Sequence, residues 1–330
     1  MFEFLSRQKW RISRWLRGTL IVAGVVASGL TCVAFAAAQA TVEAPAKTST
    51  DAATPFPAEL TQFVPAPNNP VFTAEGEGHW DVKIRERGWI LRDGDTWRLW
   101  FTGYDGTKPG QKMLGLATSS DGLHWERDSR NPIYRETWCE DMMVVKVDGI
   151  YYMFAEGAKD QAQLLTSSDG IEWKRRGTLD IRLTNGDPIP PGPFGTPTAW
   201  LEAGTWYLFY ERADQGVWLA TSRDLEVWRN VQDEPVLAKG PEAFDKYAVA
   251  LNQIISHEGL YYAYYHGSDT PQWREWSVNI ARSKDLVHWE KSQQNPLTTG
   301  NQSSGIVVPD GKKFRLYTMH NEVRVYLPKE

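Results

Sequence analysis

Five strand–turn–strand patterns recur along the chain at a nearly fixed interval. They read "GWILRDGDTWRLWF", "MVVKVDGIYYMF", "TAWLEAGTWYLFY", "QIISHEGLYYAYY" and "GIVVPDGKKFRLY". Their turn glycines are Gly94, Gly149, Gly204, Gly259 and Gly311, at steps of 55, 55, 55 and 52. Each is a β-hairpin signal: aromatic and β-branched runs flank a glycine that tolerates positive φ. A period of this length constrains the fold more than any single motif does.

A third apolar run and a second motif follow each of the first four hairpins. The motif reads "SSDGLHW", "SSDGIEW", "SRDLEVW" and "SKDLVHW", ending at Trp125, Trp173, Trp228 and Trp289. Four strands per repeat describe a propeller blade, so the expectation is an all-β fold, a five-bladed β-propeller. The fifth repeat has only "EVRVYLP" after its hairpin. Residues around 60–64 are expected to supply its missing outer strand, because Phe63 precedes Pro70 at the spacing that separates Trp from Pro in three other repeats. Such a closure leaves no open sheet edge.

The first forty residues stand apart. A basic stretch (Lys9, Arg11, Arg14, Arg17), the apolar run "TLIVAGVVASGLTCVAFAAA" and a final "AQA" have the order of a secretory signal peptide. The alternative is an uncleaved N-terminal membrane anchor, since twenty mostly apolar residues just span a bilayer. Residues 41–59 read as a flexible linker rich in Ala, Thr and Pro, and 60–330 as the propeller. Without 1–40 the chain has 31 basic and 40 acidic side chains, a formal charge of −9. The signal order argues for an exported protein, periplasmic or extracellular, with no stable membrane insertion once the signal is cleaved, and the acidic balance argues against a nucleic-acid partner. Only Cys139 remains beyond the signal, so no intrachain disulfide is expected.

In a propeller the first strand of each blade lines the axis, and the start of that strand meets the end of the second on one face. Counting back eight residues from each turn glycine gives Glu86, Asp141, Thr196, Leu251 and Ser303. Counting forward seven gives Glu156, Glu211 and His266, with Gly103 as the blade-one equivalent. Four carboxylates should gather at one axial opening. Burying like charges together is costly, and sequences accept it mostly where carboxyls must titrate apart for acid–base work; the alternative is neutralisation by Arg85, Arg87 and Arg212. Those arginines, with Glu156, His266 and His320, are also the candidate substrate contacts, and the cations among them, with Lys246, could hold an anion or an acidic sugar. Asp81 and Asp245 occupy matching places in "WDVKIRERGWIL" and "FDKYAVALNQII". Their repetition points to structural turn acids, although Asp81 is kept among the substrate contacts. The Pro/Gly-rich "NGDPIPPGPFGTPT" should shape a rim, and Trp89, Trp138 or Trp273 could offer flat faces to sugar rings.

The "DGxYYxF" hairpins, the "SSDGxxW" turns and the acids at strand starts resemble the five-bladed propeller glycoside hydrolases of the arabinanase, xylosidase, invertase and levansucrase superfamily. The resemblance spans about residues 60–328. It implies an exported glycosidase acting on an oligo- or polysaccharide, with Glu86 as base or nucleophile, Asp141 stabilising the transition state or tuning a neighbour, and Glu211 as general acid, Glu156 in reserve. The chain departs from the pattern in Arg85-Glu86-Arg87, where Asp-Pro is usual, and in Thr196, where blade three lacks an acid. Neither a redox cofactor nor a catalytic metal is called for. Two rival readings remain: a glycan phosphorylase of the same fold, and a non-catalytic carbohydrate-binding propeller.

Overall fold

The computed structural model describes residues 55–329. The signal peptide or anchor, and the linker up to residue 54, lie outside the described residues. Among the described residues no helix is long and apolar enough to cross a membrane.

Five sheets form the five blades. Blade one has an inner strand split into Lys83–Ile84 and Trp89–Asp93, followed by Thr96–Tyr104, Met113–Ser119 and Glu126–Arg127. Blade two runs Glu140–Val147, Ile150–Gly157, Gln161–Ser167 and Lys174–Thr178. Blade three runs Gly195–Glu202, Thr205–Glu211, Gly216–Ser222 and Val227–Asn230, and adds Asp180–Arg182 in parallel and Leu237–Ala238. Blade four runs Ala248–His257, Leu260–Ser268, Trp276–Ser283 and Trp289–Lys291. Blade five has Ile306–Asp310, Lys313–Met319 and Val323–Pro328. Its outer strand is Phe63–Pro65, paired antiparallel as Phe63↔Pro328, Val64↔Leu327 and Pro65↔Tyr326. The N-terminal closure read from the sequence is therefore present.

The "S-x-D" corners are turns built on side-chain acceptors. Ser119 Oγ donates to Asp121 Oδ1 at 3.0 Å, and the same oxygen accepts the backbone N–H groups of Leu123 and His124 at 2.8 and 2.9 Å. The arrangement recurs at Asp169, Asp224 and Asp285. A short acidic side chain accepting from residues two and three places on is what fixes a tight corner.

Each corner docks on the preceding blade through one aromatic residue of that blade's second strand. Trp100 donates its indole N–H to Gly170 O at 2.8 Å and meets Trp173 edge-on. Phe154 meets Trp228 and Phe209 meets Trp289 in the same way, and Tyr317 donates its hydroxyl to Gly122 O at 3.0 Å. Blade five has no such corner motif. There Tyr264 of blade four donates instead to Leu60 O at 2.8 Å, on the short helix Ala58–Thr61. The segment before the closing strand thus replaces the missing corner, with Leu60 fully buried and Phe56 against Tyr262. Aromatic pairs of this kind add about 0.5–1.5 kcal/mol each beyond their buried area, so the repeated corners act as the bolts between blades.

Candidate active site

The inner strands begin in an unusual backbone. Arg87, Asp141, Thr196 and Ser304 all have φ between 46° and 54°, a region L-residues rarely occupy. The hairpin registers explain the set. Gly94 and Gly311 are the first residues of their two-residue turns, whereas Gly149, Gly204 and Gly259 are the second. Counting from the turn glycine therefore slips by one between blades. The true equivalents of Asp141 are Arg87, Thr196, Leu251 and Ser304, and the equivalent of Glu86 is Glu140. In blades two, three and four the ladder shifts register at this point, at Glu140/Met143, Gly195/Thr198 and Leu251/Gln253. A bulge re-aims side chains at a strand end, and Asp141 and Thr196, at two of these shifts, line the axial opening.

Arg87 is the first correction. Expected among the substrate contacts, it is fully buried on the axis. Its guanidinium donates to Asp141 O at 2.9 Å, Pro197 O at 2.8 Å, Asn252 O at 3.4 Å and the Thr198 hydroxyl, while its backbone N–H donates to Met319 O at 2.8 Å. One residue, through its side chain and its backbone N–H together, thereby joins all five blades. Burial pulls its pKa down to about 10 against the raising effect of Asp141, Glu156 and Glu211, so it stays charged at neutral pH.

Above this plug lies a cavity of about 330 Å³, lined by Arg85, Glu86, Asp141, Glu156, Asp160 and Pro193, with Thr196, Glu211, Asp214, His266, Trp273 and Trp276. It brings together the four carboxylates expected at the opening. Glu86 accepts from His320 Nδ1 at 3.2 Å and lies 3.6 Å from Arg85. Burial pushes its pKa up, but the hydrogen bond and charge of His320, with Arg85 and His266, bring it down to about 2. Asp141 is driven the opposite way. Burial, then the charges of Glu86 and Glu140, raise it well above the carboxylate range, and its Oδ1 is buried with no hydrogen-bond partner. Two carboxyls of one cavity are thus pushed in opposite directions, Glu86 toward the ionised form and Asp141 toward the protonated one.

Glu156 and Glu211 are also raised, both chiefly by burial. Their oxygens are engaged by backbone: Glu156 accepts from Thr196 N at 3.1 Å, and Glu211 from Gly195 N at 3.3 Å and Asp214 N at 2.6 Å. Gly195 sits between them, where a Cβ would overlap Glu156 Oε2. His266 accepts the Asn252 side-chain amide at Nδ1, 2.9 Å away, and burial lowers its pKa to about 4. It is therefore neutral, with its proton on Nε2.

Other expected contacts fall elsewhere. Asp81 is fully buried and pairs with Arg127 at 3.0 Å, as Asp245, likewise buried, pairs with Lys291. Both are structural acids, which removes Asp81 from the substrate contacts. Arg212 donates to Pro190 O at 2.8 Å and holds the Pro-rich rim, whose Pro193 reaches the cavity while Arg212 does not line it. Trp89 is core, Trp138 donates to Glu140 at 2.6 Å, and Trp273 is 43% exposed on the cavity wall.

Sequence reasoning missed Glu140, Asp160, Asp214, Asn252 and Trp276. Glu140 is 2% exposed and holds Arg85 at 2.9 Å. Counting from hairpin register would have found it. Asp214 is raised to about 7 by burial and the nearby Glu211, Glu86 and Asp160. It and Asp160 lie in matching left-handed turns after the second strands of blades three and two, in "ERADQ" and "EGAKDQ". A larger cavity, about 600 Å³, lies near the hairpin turn of blade two and the corner of blade three, at Ile150, Tyr152, Leu164, Asp224 and Glu226. It lacks the buried, perturbed carboxyls of the axial site.

No family model matches the chain. The 1,2-beta-oligomannan phosphorylase of Thermoanaerobacter sp. (strain X514) is 26% identical over 262 residues, 69% of this chain and 84% of that protein. A glycosyl hydrolase from Bacteroides ovatus superposes with a TM-score of 0.65 at 16% identity, over 82% of this chain and 95% of that one. The β-1,2-mannobiose phosphorylase of Listeria innocua, solved with β-1,2-mannobiose, superposes with a TM-score of 0.63 at 15% identity, over 81% and 96%. The chain has the five-bladed β-propeller fold of these glycoside hydrolases and glycoside phosphorylases, the resemblance carried by its repeat.

Proposed function

We propose that the protein is a glycoside hydrolase that cleaves at the axial opening. The observation that carries the reading is the split pair: Glu86 held near 2 by His320 and Arg85, and Asp141 beside it kept protonated by burial and by Glu86 itself. Glycoside hydrolysis needs one protonated carboxyl to assist the leaving oxygen and one ionised carboxylate to activate water or stabilise the oxocarbenium-like centre. Asp141 suits the acid role better than Glu211. Its Oδ1 has no hydrogen-bond partner, whereas both Glu211 oxygens are taken by backbone N–H groups. Glu86 is the base or nucleophile, Arg85 and His320 tune it, and His266 offers an Nε2–H to a sugar oxygen. Glu156 shapes the wall through Thr196.

Water rather than phosphate is the acceptor. A phosphate needs unpaired cations, and among the described residues the Lys or Arg side chain on the cavity wall is Arg85, which already lies against Glu140 and Glu86. The observation favouring phosphorolysis is the likeness to the two mannoside phosphorylases. β-1,2-Linked manno-oligosaccharides are for that reason the first substrates to assay. Incubation with β-1,2-mannobiose and a wider glycoside panel, with and without phosphate, tests the reading. Free sugar formed without phosphate is expected, and strict phosphate dependence with sugar 1-phosphate as product would overturn it. Export, read from residues 1–40, is part of the proposal, and cell fractionation with N-terminal sequencing of the processed chain checks it.

A further inference from the structure

His320 meets Glu86 through one ring nitrogen, and the group facing the other nitrogen decides where the ring proton sits. Glu86 Oε2 and the Ser303 hydroxyl lie 3.2 and 3.1 Å from Nδ1, and the side-chain amide nitrogen of Asn301 lies 3.4 Å from Nε2. That amide cannot be turned end for end, because its Oδ1 accepts the backbone N–H of Trp276 at 3.0 Å. What faces Nε2 is therefore an NH2 group, which only donates, while an ionised Glu86 only accepts.

We infer that Asn301 is a positioning residue of the site, fixing the neutral His320 ring with its proton on Nδ1 and aimed at Glu86. The inference rests on the glycoside-hydrolase reading, in which Glu86 is the ionised member of the axial pair. Which imidazole nitrogen carries the proton is set by the hydrogen bond that the other makes. An amide donating to Nε2 stabilises the form in which that nitrogen keeps its lone pair. The opposite form would aim an N–H at an NH2 and a lone pair at a carboxylate. His266 shows the reverse arrangement, with Asn252 at Nδ1 and the proton on Nε2.

The loop that carries Asn301 is built to hold it still. Asn301 has φ 57°, in the left-handed region that Asn tolerates better than most residues. On one side of it Thr298 Oγ1 accepts Val278 N at 2.9 Å and donates to Gln302 O at 2.6 Å; on the other, Gln302 bridges Ser277 in parallel. The amide is thus preorganised against the third strand of blade four, whose Trp276 lines the cavity, and it reaches across to a histidine of blade five. The other charged or titratable groups that act on Glu86 or feel its charge are Arg85, His266, Asp141 and Asp214, and a change at Asn301 leaves each of them in place.

Heteronuclear NMR of the histidine ring nitrogens in the full chain tests this, in the pH range where the His320 ring holds one proton. His320 is assigned by its absence from the His320→Ala spectrum. Wild type should show an N–H at Nδ1 and a lone pair at Nε2. Glu86→Gln should keep that pattern, because Asn301 still donates to Nε2 once the carboxylate is gone. Asn301→Asp keeps an acceptor for Trp276 but presents an oxygen to the ring, so Nε2 should become an N–H. In the same variant the acid limb of kcat/KM on any cleaved glycoside should move up by about half a unit. An N–H at Nε2 in wild type, a switched or mixed pattern in Glu86→Gln, or an unchanged Nε2 in Asn301→Asp would each overturn the inference and leave the hydrolase reading standing. The first two spectra decide alone if Asn301→Asp does not fold. They need no substrate, so failure to cleave any glycoside would sink the hydrolase reading without altering the ring pattern.

Discussion

The outer corners and the axial opening are built from the same kind of side chain and treat it in opposite ways. At the corners, aspartates face solvent and are saturated with donors. The backbone N–H groups of Glu226 and Val227 hold Asp224 below the usual carboxylate range, and the backbone and ring of His288 do the same for Asp285. At the axis, Asp141, Glu156 and Glu211 are buried, Asp141 Oδ1 has no donor at all, and burial pushes all three up. Corner acids therefore spend their charge on geometry, whereas axial acids are left with protons to move. Glu86 is the informative exception, an axial acid that His320 and Arg85 return to the ionised state.

The largest effects should come from breaking the axial pair. Asp141→Asn and Glu86→Gln should each lower kcat by a factor on the order of 10²–10⁴, with little change in thermal stability, as kinetics and a melt of each variant will show. Next is the axial plug. Arg87→Ala strands at least two carbonyls and a hydroxyl, and should cost about 3–5 kcal/mol in denaturant unfolding.

Smaller effects sharpen the contrast through pH. Removing His320 takes the leading hydrogen bond from Glu86. In His320→Ala the acid limb of the kcat/KM profile should move up by about one unit, with the basic limb unmoved. Asp214 is raised from the usual range to about 7. A raised carboxyl contributes its full stability below its unfolded pKa of about 3.9 and loses it as pH rises through 7. Asp214→Asn should accordingly melt higher than wild type in mildly alkaline buffer and match it in acid. The smallest effect belongs to a corner: Asp285→Ala removes acceptors for Val287 and His288. It should lower the melting temperature by a few degrees and leave kcat unchanged.

The architecture was legible because it repeats. Five hairpins, four corner motifs and one missing corner are visible in the letters, and the closing strand at Phe63–Pro65 follows from the gap they leave. The site was legible only in part. Glu86, Asp141, Glu156 and Glu211 do meet in one cavity, but the turn glycine is a marker that shifts by one residue between turn positions. That shift hid Glu140 and concealed the equivalence of Arg87 with Asp141. Charge alone could not separate Arg85, which lines the cavity, from Arg87, which plugs the axis. The distinction depends on which carbonyls the bulged strands aim inward. Asp160 and Asp214 were missed because they lie in loops, outside the strand count.

The most direct test of the central claim uses leaving groups of different quality on any glycoside the wild type cleaves. An activated aryl glycoside, such as a dinitrophenyl glycoside, needs no proton on its leaving oxygen. Asp141→Asn should then recover most of the wild-type rate on that substrate while staying inactive on the natural bond, and Glu86→Gln should recover on neither. Equal loss in both variants on both substrates, or recovery of Glu86→Gln alone, would contradict the division of labour assigned to the axial pair.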